Sequence, residues 1–393
     1  MIKPKIKKTI LVCFFIASLI FTEGLCSAYE TLYLTWSDDP TSTMDICWIG
    51  EPSLESESIL YHLKDSSKEL ISHPHTISLN KDFSLYTANL KDLFPNREYS
   101  FSIGSEQKHE YQFQTLSDDP KEILRFVVGG DVYRNHQRFL TVAEAASKHS
   151  PHFALIGGDI AHANDSDRLF SRWLDFFKAW NTTMSNDDKL VPILATLGNH
   201  DLKKRFDRTV DDAKYFYKLF PSLKESGGSV LDIGSQTSIF ILDTQHAHEI
   251  KAQQQQLESW LAERQNRSHK IALYHVSAYP NVRKYNYEYS KKIRKYWTPL
   301  FEKYNLSVAF ENHEHAYKRT VPILDGTAHP DGVVYMGGGG WGMRPRTSRH
   351  CSKHWYLEKS IKCQHCLLVT VENKTLNIIA IDSHNNIIDE YKI

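Results

Sequence analysis

The chain has 393 residues, 24% of them charged and 41% hydrophobic, enough for one small and one large domain with a substantial core. Its 47 Lys and Arg balance 47 Asp and Glu; without the four Lys and one Glu of residues 1–28, 43 basic residues face 46 acidic ones, a net of −3. That balance excludes a basic nucleic-acid-binding or lipid-binding face as the organising feature.

From its start, M-I-K-P-K-I-K-K is basic, and Thr9 to Phe21 is an apolar run too short for a span of about 20 residues. Cys26-Ser27-Ala28 supplies small residues, so residues 1–28 are expected to be a signal peptide cleaved after Ala28. The mature chain is then secreted or periplasmic, with no integral membrane span. Four cysteines remain: Cys47, Cys351, Cys363 and Cys366. In an oxidising compartment the 351–366 cluster is expected to hold a disulfide, with a zinc site that adds His350, His354 and His365 as the alternative. Sequons stand at Asn164, Asn181, Asn266, Asn305 and Asn373.

Residues 29–117 read as an all-β module. Met44, Ile46 and Trp48 alternate with Asp45 and Cys47, and Tyr99, Phe101 and Ile103 alternate with serines. Leu93 and Tyr99, flanking Pro95, resemble the corner of a fibronectin type III sandwich, where a Tyr tethers a strand crossing. Nothing in the module is arranged for catalysis, so its expected job is to buttress the larger domain, with a separate adhesive role as the alternative. Leu116 to Glu122 is the linker.

Residues 122–393 alternate strands with helices. Phe139, Val142, Ala143 and Ala146 fall at helical spacing, as do Leu169, Trp173, Phe176, Phe177 and Trp180. Gln253 to Arg264 is a further helix, and the last third turns β at Val333 to Met336, Leu367 to Val371, Leu376 to Ile381 and Ile387 to Tyr391. Five apolar, β-branched runs read as strands buried on both faces, and each ends abruptly in a polar residue. L-R-F-V-V-G-G runs into Asp131, and F-A-L-I-G-G into Asp159. V-P-I-L-A-T-L-G runs into Asn199, His200 and Asp201. I-A-L-Y runs into His275, and S-V-A-F-E-N into His313 and His315. In an open α/β sheet, ligands bind just beyond the carboxyl ends of the strands. Oxygen and imidazole donors without cysteine suit Mn, Fe or Zn, and one carboxylate can bridge two ions.

The order D…G-D-x-x…G-N-H-D…H…N-H-x-H resembles the calcineurin-like metallophosphoesterases, and most closely the purple acid phosphatases. L-T-W-S-D-D-P also resembles the opening of their N-terminal module. The resemblance implies an α/β fold: an αββα four-layer sandwich behind a fibronectin type III-like domain. It implies an exported binuclear phosphohydrolase that cleaves phosphomonoesters by attack of a metal-bound hydroxide. A phosphodiesterase or nucleotide hydrolase on the same site is one alternative, and a binding protein that kept the fold is another. Carried over motif by motif, Asp131 and His315 hold the first metal, Asn199, His275 and His313 the second, and Asp159 bridges them. His200 helps to protonate the leaving oxygen. Asp201 either orients a histidine from behind or caps the turn. The partner is a small phosphate ester and the cofactors are two ions of Fe, Mn or Zn.

The chain also departs from the family. Asn312 stands where G-H-x-H has its glycine, and Val132-Tyr133 replaces small residues. Arg283, Lys284, Tyr285 and Tyr287 occupy a loop where relatives supply histidines to the substrate. His162 takes the place of the family's ligand tyrosine, with Tyr133 as the alternative source of a phenolate.

Overall fold

The computed structural model describes residues 29–52, 57–104, 109–185, 188–223 and 225–393. The expected leader, residues 1–28, lies outside the described residues. No helix among them is long and apolar enough to cross a membrane.

The front module folds as two four-stranded antiparallel sheets. One runs Thr31–Thr35, Met44–Gly50, Ser84–Leu90, His75–Ser78; the other runs Leu70–Ser72, Ile59–Leu63, Glu98–Ile103, Tyr111–Gln114. The alternation at Met44–Trp48 becomes a register of Met44 against Leu90 and Ile46 against Ala88. Tyr99 makes the expected tether, its hydroxyl accepting from the Phe94 amide at 2.9 Å.

Beyond the linker lie a six-stranded and a seven-stranded sheet. In the first, Ile193–Ala195, Phe153–Ile156 and Leu124–Gly129 run parallel, and His365–Glu372, Thr375–Asp382 and Ile387–Lys392 continue antiparallel. In the second, Thr237–Leu242, His269–Tyr274, Val308–Glu311 and Val334–Gly337 run parallel. The seven-stranded sheet shows why such strands are apolar throughout. Ile239, Ile241, Ile271, Leu273, Val308 and Phe310 belong to the core that also holds Phe126 and Val128 of the first sheet. Their neighbours Phe240, Leu242, Ala272, Tyr274 and Ala309 instead meet Leu257, Leu261, Ile293, Trp297 and Phe301 of the outer helices. Successive side chains point to opposite faces, so both faces bury and no polar position is left until the strand ends. On the other side, the helices His136–Ser147 and Ser171–Met184 bury the predicted stripe of Phe139, Val142, Trp173, Phe176 and Trp180. The layers are helix, sheet, sheet, helix.

The four cysteines are free thiols, so the expected disulfide is absent. Cys351 packs half-buried against the core under the seven-stranded sheet, whereas Cys366 is buried in the other core, against which Cys363 packs half-buried. Burial pushes the Cys363 thiol up to about 12 and raises the Cys366 thiol as well, so both behave as small apolar side chains. The zinc alternative gains nothing: the two groups of potential ligands among the described residues contain no cysteine.

Candidate metal centre

Five parallel strands from the two sheets end on one rim, and the loops beyond them bend sharply. Asp131, Asp159, His162, His313 and His315 have φ between 48° and 66°, the left-handed region that non-glycine residues rarely occupy. Five such residues in one place are a clustered backbone cost, which persists only where the surroundings over-determine it. Two close approaches do so. A Cβ on Gly198 would lie 2.1 Å from the Asp159 nitrogen, and one on Gly339 1.8 Å from Asp131 Oδ2. Neither position admits any side chain.

The bends turn the polar side chains inward. Potential ligand atoms of Asp131, Asp159, His275 and His313 lie within 4.8 Å of one another, as do those of Asp159, His162 and His200. Asp159 is common to both groups. His315 Nε2 is 2.8 Å from Asp131 Oδ1, and Asn199 Oδ1 is 3.2 Å from His275 Nε2, which adds the remaining expected ligands. Asp131 lies next to both its expected partner His315 and the group of His275 and His313. Its Oδ2 accepts from the His313 amide at 3.1 Å, which holds it beside that group.

Electrostatics describe a set short of positive charge. Burial, then the neighbouring charges of Asp131 and Asp201, push the Asp159 carboxyl well above the usual range. Burial raises Asp131 too, but His315, 2.8 Å away, outweighs it and holds that carboxyl low. Burial depresses the imidazoles: His275 to about 3, His200 to about 4 with help from Arg205, and His162 and His313 well below normal. The histidines are therefore neutral and present lone pairs.

The calcineurin-like phosphoesterase profile matches residues 124–317, and the purple acid phosphatase N-terminal domain profile matches residues 29–115. The chain carries a calcineurin-like phosphoesterase domain behind a purple acid phosphatase N-terminal domain. Purple acid phosphatase 21 of Arabidopsis thaliana is 22% identical over 278 residues, 66% of this chain and 59% of that protein. Probable inactive purple acid phosphatase 27 of the same plant is 23% identical over 356 residues, 78% of this chain and 55% of that protein. The chain thus spans a little over half the length of these relatives. Among solved structures, purple acid phosphatase PPD1 from yellow lupin (Lupinus luteus) seeds superposes with a TM-score of 0.75 at 16% identity, covering 92% of this chain and 73% of that one. PhoD superposes with 0.65 at 11%, covering 93% and 89%. At these identities the superpositions show the fold.

Phosphoesterases of this family act with metal ions, and the donors fit them. Both ring nitrogens of His162, both of His313, and Asp159 Oδ2 are buried without a hydrogen-bond partner. Leaving buried polar atoms unmatched costs roughly 1–3 kcal/mol each, a cost that coordination removes. His275 Nδ1 faces the Gly157 carbonyl at 2.7 Å, which leaves Nε2 for coordination. His162 lies in this set, with Nε2 3.9 Å from Asp159 Oδ2 and its ring stacked on His200. The Tyr133 hydroxyl instead pairs with His136 Nδ1 at 3.0 Å, with its ring against Phe139 and Phe176. The phenolate alternative has no geometric support.

Of the two roles open to Asp201, the contacts fit one. Asp201 touches no histidine; its oxygens accept from the amides of Asp159, Ile160 and Gly198 at 2.8–2.9 Å. It caps its own turn, the second of its two expected roles, and also clamps that turn to the Asp159 loop. Asn164 is marked in the sequence only as a sequon, yet its Oδ1 is 2.9 Å from His200 Nδ1. The glycines at 337–340 join the site without having been expected there, although four in a row signal a close approach. In the 283–287 loop, Arg283 and Tyr287 line the cavity over the centre, while Tyr285 stacks on Tyr356 and carries the Arg294 guanidinium on its face. Lys284 is exposed outside the cavity.

Proposed function

We propose that the chain is an exported, binuclear metal-dependent phosphatase acting on phosphomonoesters. The observation that carries this reading is the set of buried, unpartnered His162, His313 and Asp159 atoms at the ends of converging strands. Asp131, Asp159, His162, Asn199, His275, His313 and His315 would hold the ions, with Asp159 common to both sites. Paired ions in such a site activate water near neutral pH and offset charge on the attacking and leaving oxygens.

The chain's own residues do the rest. His200 is half-buried at the floor of a cavity of about 260 Å³, where a phosphate ester would enter. Asn164 Oδ1 accepts from Nδ1–H, which leaves Nε2 to face the ester. That nitrogen is unprotonated at rest, so it first takes up a proton from solvent and then, as imidazolium, passes it to the leaving oxygen. The His200 amide donates to Asp159 Oδ1 at 2.5 Å, which fixes the imidazole relative to the metal-facing carboxylate. Residues 29–117 buttress residues 122–393 as a separate domain, and residues 1–28 direct export.

Stripping the protein with a chelator and restoring Mn, Fe or Zn should abolish and then recover hydrolysis of a generic aryl phosphate. Metal binding without turnover of mono- or diester would leave a binding protein on a phosphatase fold.

A further inference from the structure

The loops above the centre carry two arginines that no acid among the described residues neutralises. The cavity rim includes Arg205, Phe206, Arg283, Tyr287, Met343 and Arg346. Arg283 is engaged: its guanidinium donates to the His313 carbonyl at 2.9 Å and to Glu314 Oε1 at 2.8 Å. Among the described residues, Arg205 and Arg346 have neither an ion pair nor a side-chain hydrogen bond.

Both are held in place by their backbones. Lys204, Arg205 and Asp207 have φ of 60°, 73° and 54°, three left-handed residues within four. Asp207 maintains this bend, since Gln245 Nε2 donates to its Oδ1 at 3.0 Å and the Tyr289 hydroxyl to its Oδ2 at 2.7 Å. The Asp207 and Arg208 amides donate to the Gln245 and His246 carbonyls. Strain of this kind collects where a side chain must be presented. Arg346 is anchored on the centre itself, its amide donating to the His315 carbonyl at 2.9 Å.

The rim's aromatic rings are already engaged. Phe206 is stacked on His246 at 4.7 Å and on Tyr289 at 4.3 Å, so both its faces are taken. Tyr287 has the Arg283 guanidinium 5.9 Å from its centroid and meets Tyr289 at 5.3 Å. Phe206 thus has both faces taken and Tyr287 is partly covered, so among the described residues the rim offers mainly charge.

We propose that Arg205 and Arg346 form a second anion subsite, specific for a phosphoryl group on the leaving-group side of a bisphosphorylated substrate. This rests on the phosphatase reading, in which the buried centre takes the scissile phosphate. Planar guanidinium groups suit this role, because each can give two parallel N–H donors to phosphate oxygens.

Fructose 1,6-bisphosphate and fructose 6-phosphate differ by one phosphoryl group and serve as the probe pair. Binding is measured by calorimetry on the full, metal-loaded chain in a His200→Ala background that slows turnover. The parent should bind the bisphosphate at least tenfold more tightly. R205A/R346A should lose most of that preference, and R205K/R346K should recover part of it. Equal binding of the two sugars by the parent overturns the subsite, as does a full preference in the alanine pair. If the alanine pair does not fold, the lysine pair decides: an undiminished preference there, despite the lost fork geometry, also counts against it. Aryl phosphate turnover by the unmodified chain separates the two claims. Turnover without a bisphosphate preference retains the phosphatase and removes the subsite; an arginine-dependent preference without turnover does the reverse.

Discussion

The Asp159 carboxylate belongs to both ligand groups, whereas His200 belongs to one and faces the cavity. Asp159→Asn should therefore lower metal content and turnover together. His200→Ala should keep its metals and lose about 10²–10⁴ in rate, the usual range for a general acid. Equal metal loss in the two variants would make His200 a ligand instead. His162 allows a second test. A neutral imidazole in place of a tyrosinate removes a negative charge, so divalent Mn, Fe or Zn should compete better there. The iron-loaded protein should show no absorption band in the purple region. A strong band that vanishes in Tyr133→Phe would contradict the placement of both residues.

The two ligand loops of the seven-stranded sheet share a buried post. Glu311 ends the Val308–Glu311 strand and accepts from the Tyr274 hydroxyl at 2.7 Å and the Ala278 amide at 2.6 Å. Lys318, also buried, closes the network as an ion pair with Glu311 and donates to the Tyr279 carbonyl. The network joins the chain after His275 to the strand before His313. Lys318→Met should cost about 3–5 kcal/mol, because it strands a buried charge, and chemical denaturation would show it. Replacing Glu311 by Leu in the same chain should recover part of the loss; a single variant as stable as the parent would show the pair idle. The strand ends themselves were legible, because runs buried on both faces admit no polar residue until they stop. The post was not legible, since Glu311 closes its run as one more polar residue before the histidines, and its partner lies beyond the next loop. Arg205 and Arg346 escaped for another reason: they stand on irregular loops, where no periodicity marks a side chain as facing the site. Asp201 was read from its sequence neighbours, yet its contacts are backbone amides, which any residue supplies.

The front module sits on the outer helix of the first sheet. The Tyr33 ring stacks on Phe177 at 4.1 Å, and its hydroxyl donates to the Leu219 carbonyl at 2.8 Å. Thr35 Oγ1 reaches the carbonyl of Ile193, in the strand that leads to Asn199. Asn181 Nδ2 donates to the Leu32 carbonyl at 2.7 Å, so this sequon is used as a contact. A chain starting at Pro120 should keep its metals but aggregate and melt at a lower temperature, because the apolar face around Phe177 would meet water. Unchanged stability and activity would favour an independent role for the module. Both layers of the sandwich could be read from the order of strands and helices, whereas this interface could not, because Tyr33 and Phe177 look like ordinary core residues of separate segments.

Whether five strand ends hold two metal ions is decided by elemental analysis of the purified full chain, after exposure to Mn, Fe and Zn and removal of unbound ions. Two equivalents per chain are expected, falling in Asp159→Asn and unchanged in Arg205→Ala. A chain that retains no metal, or retains two equivalents without Asp159, would contradict a binuclear centre bridged by that carboxylate.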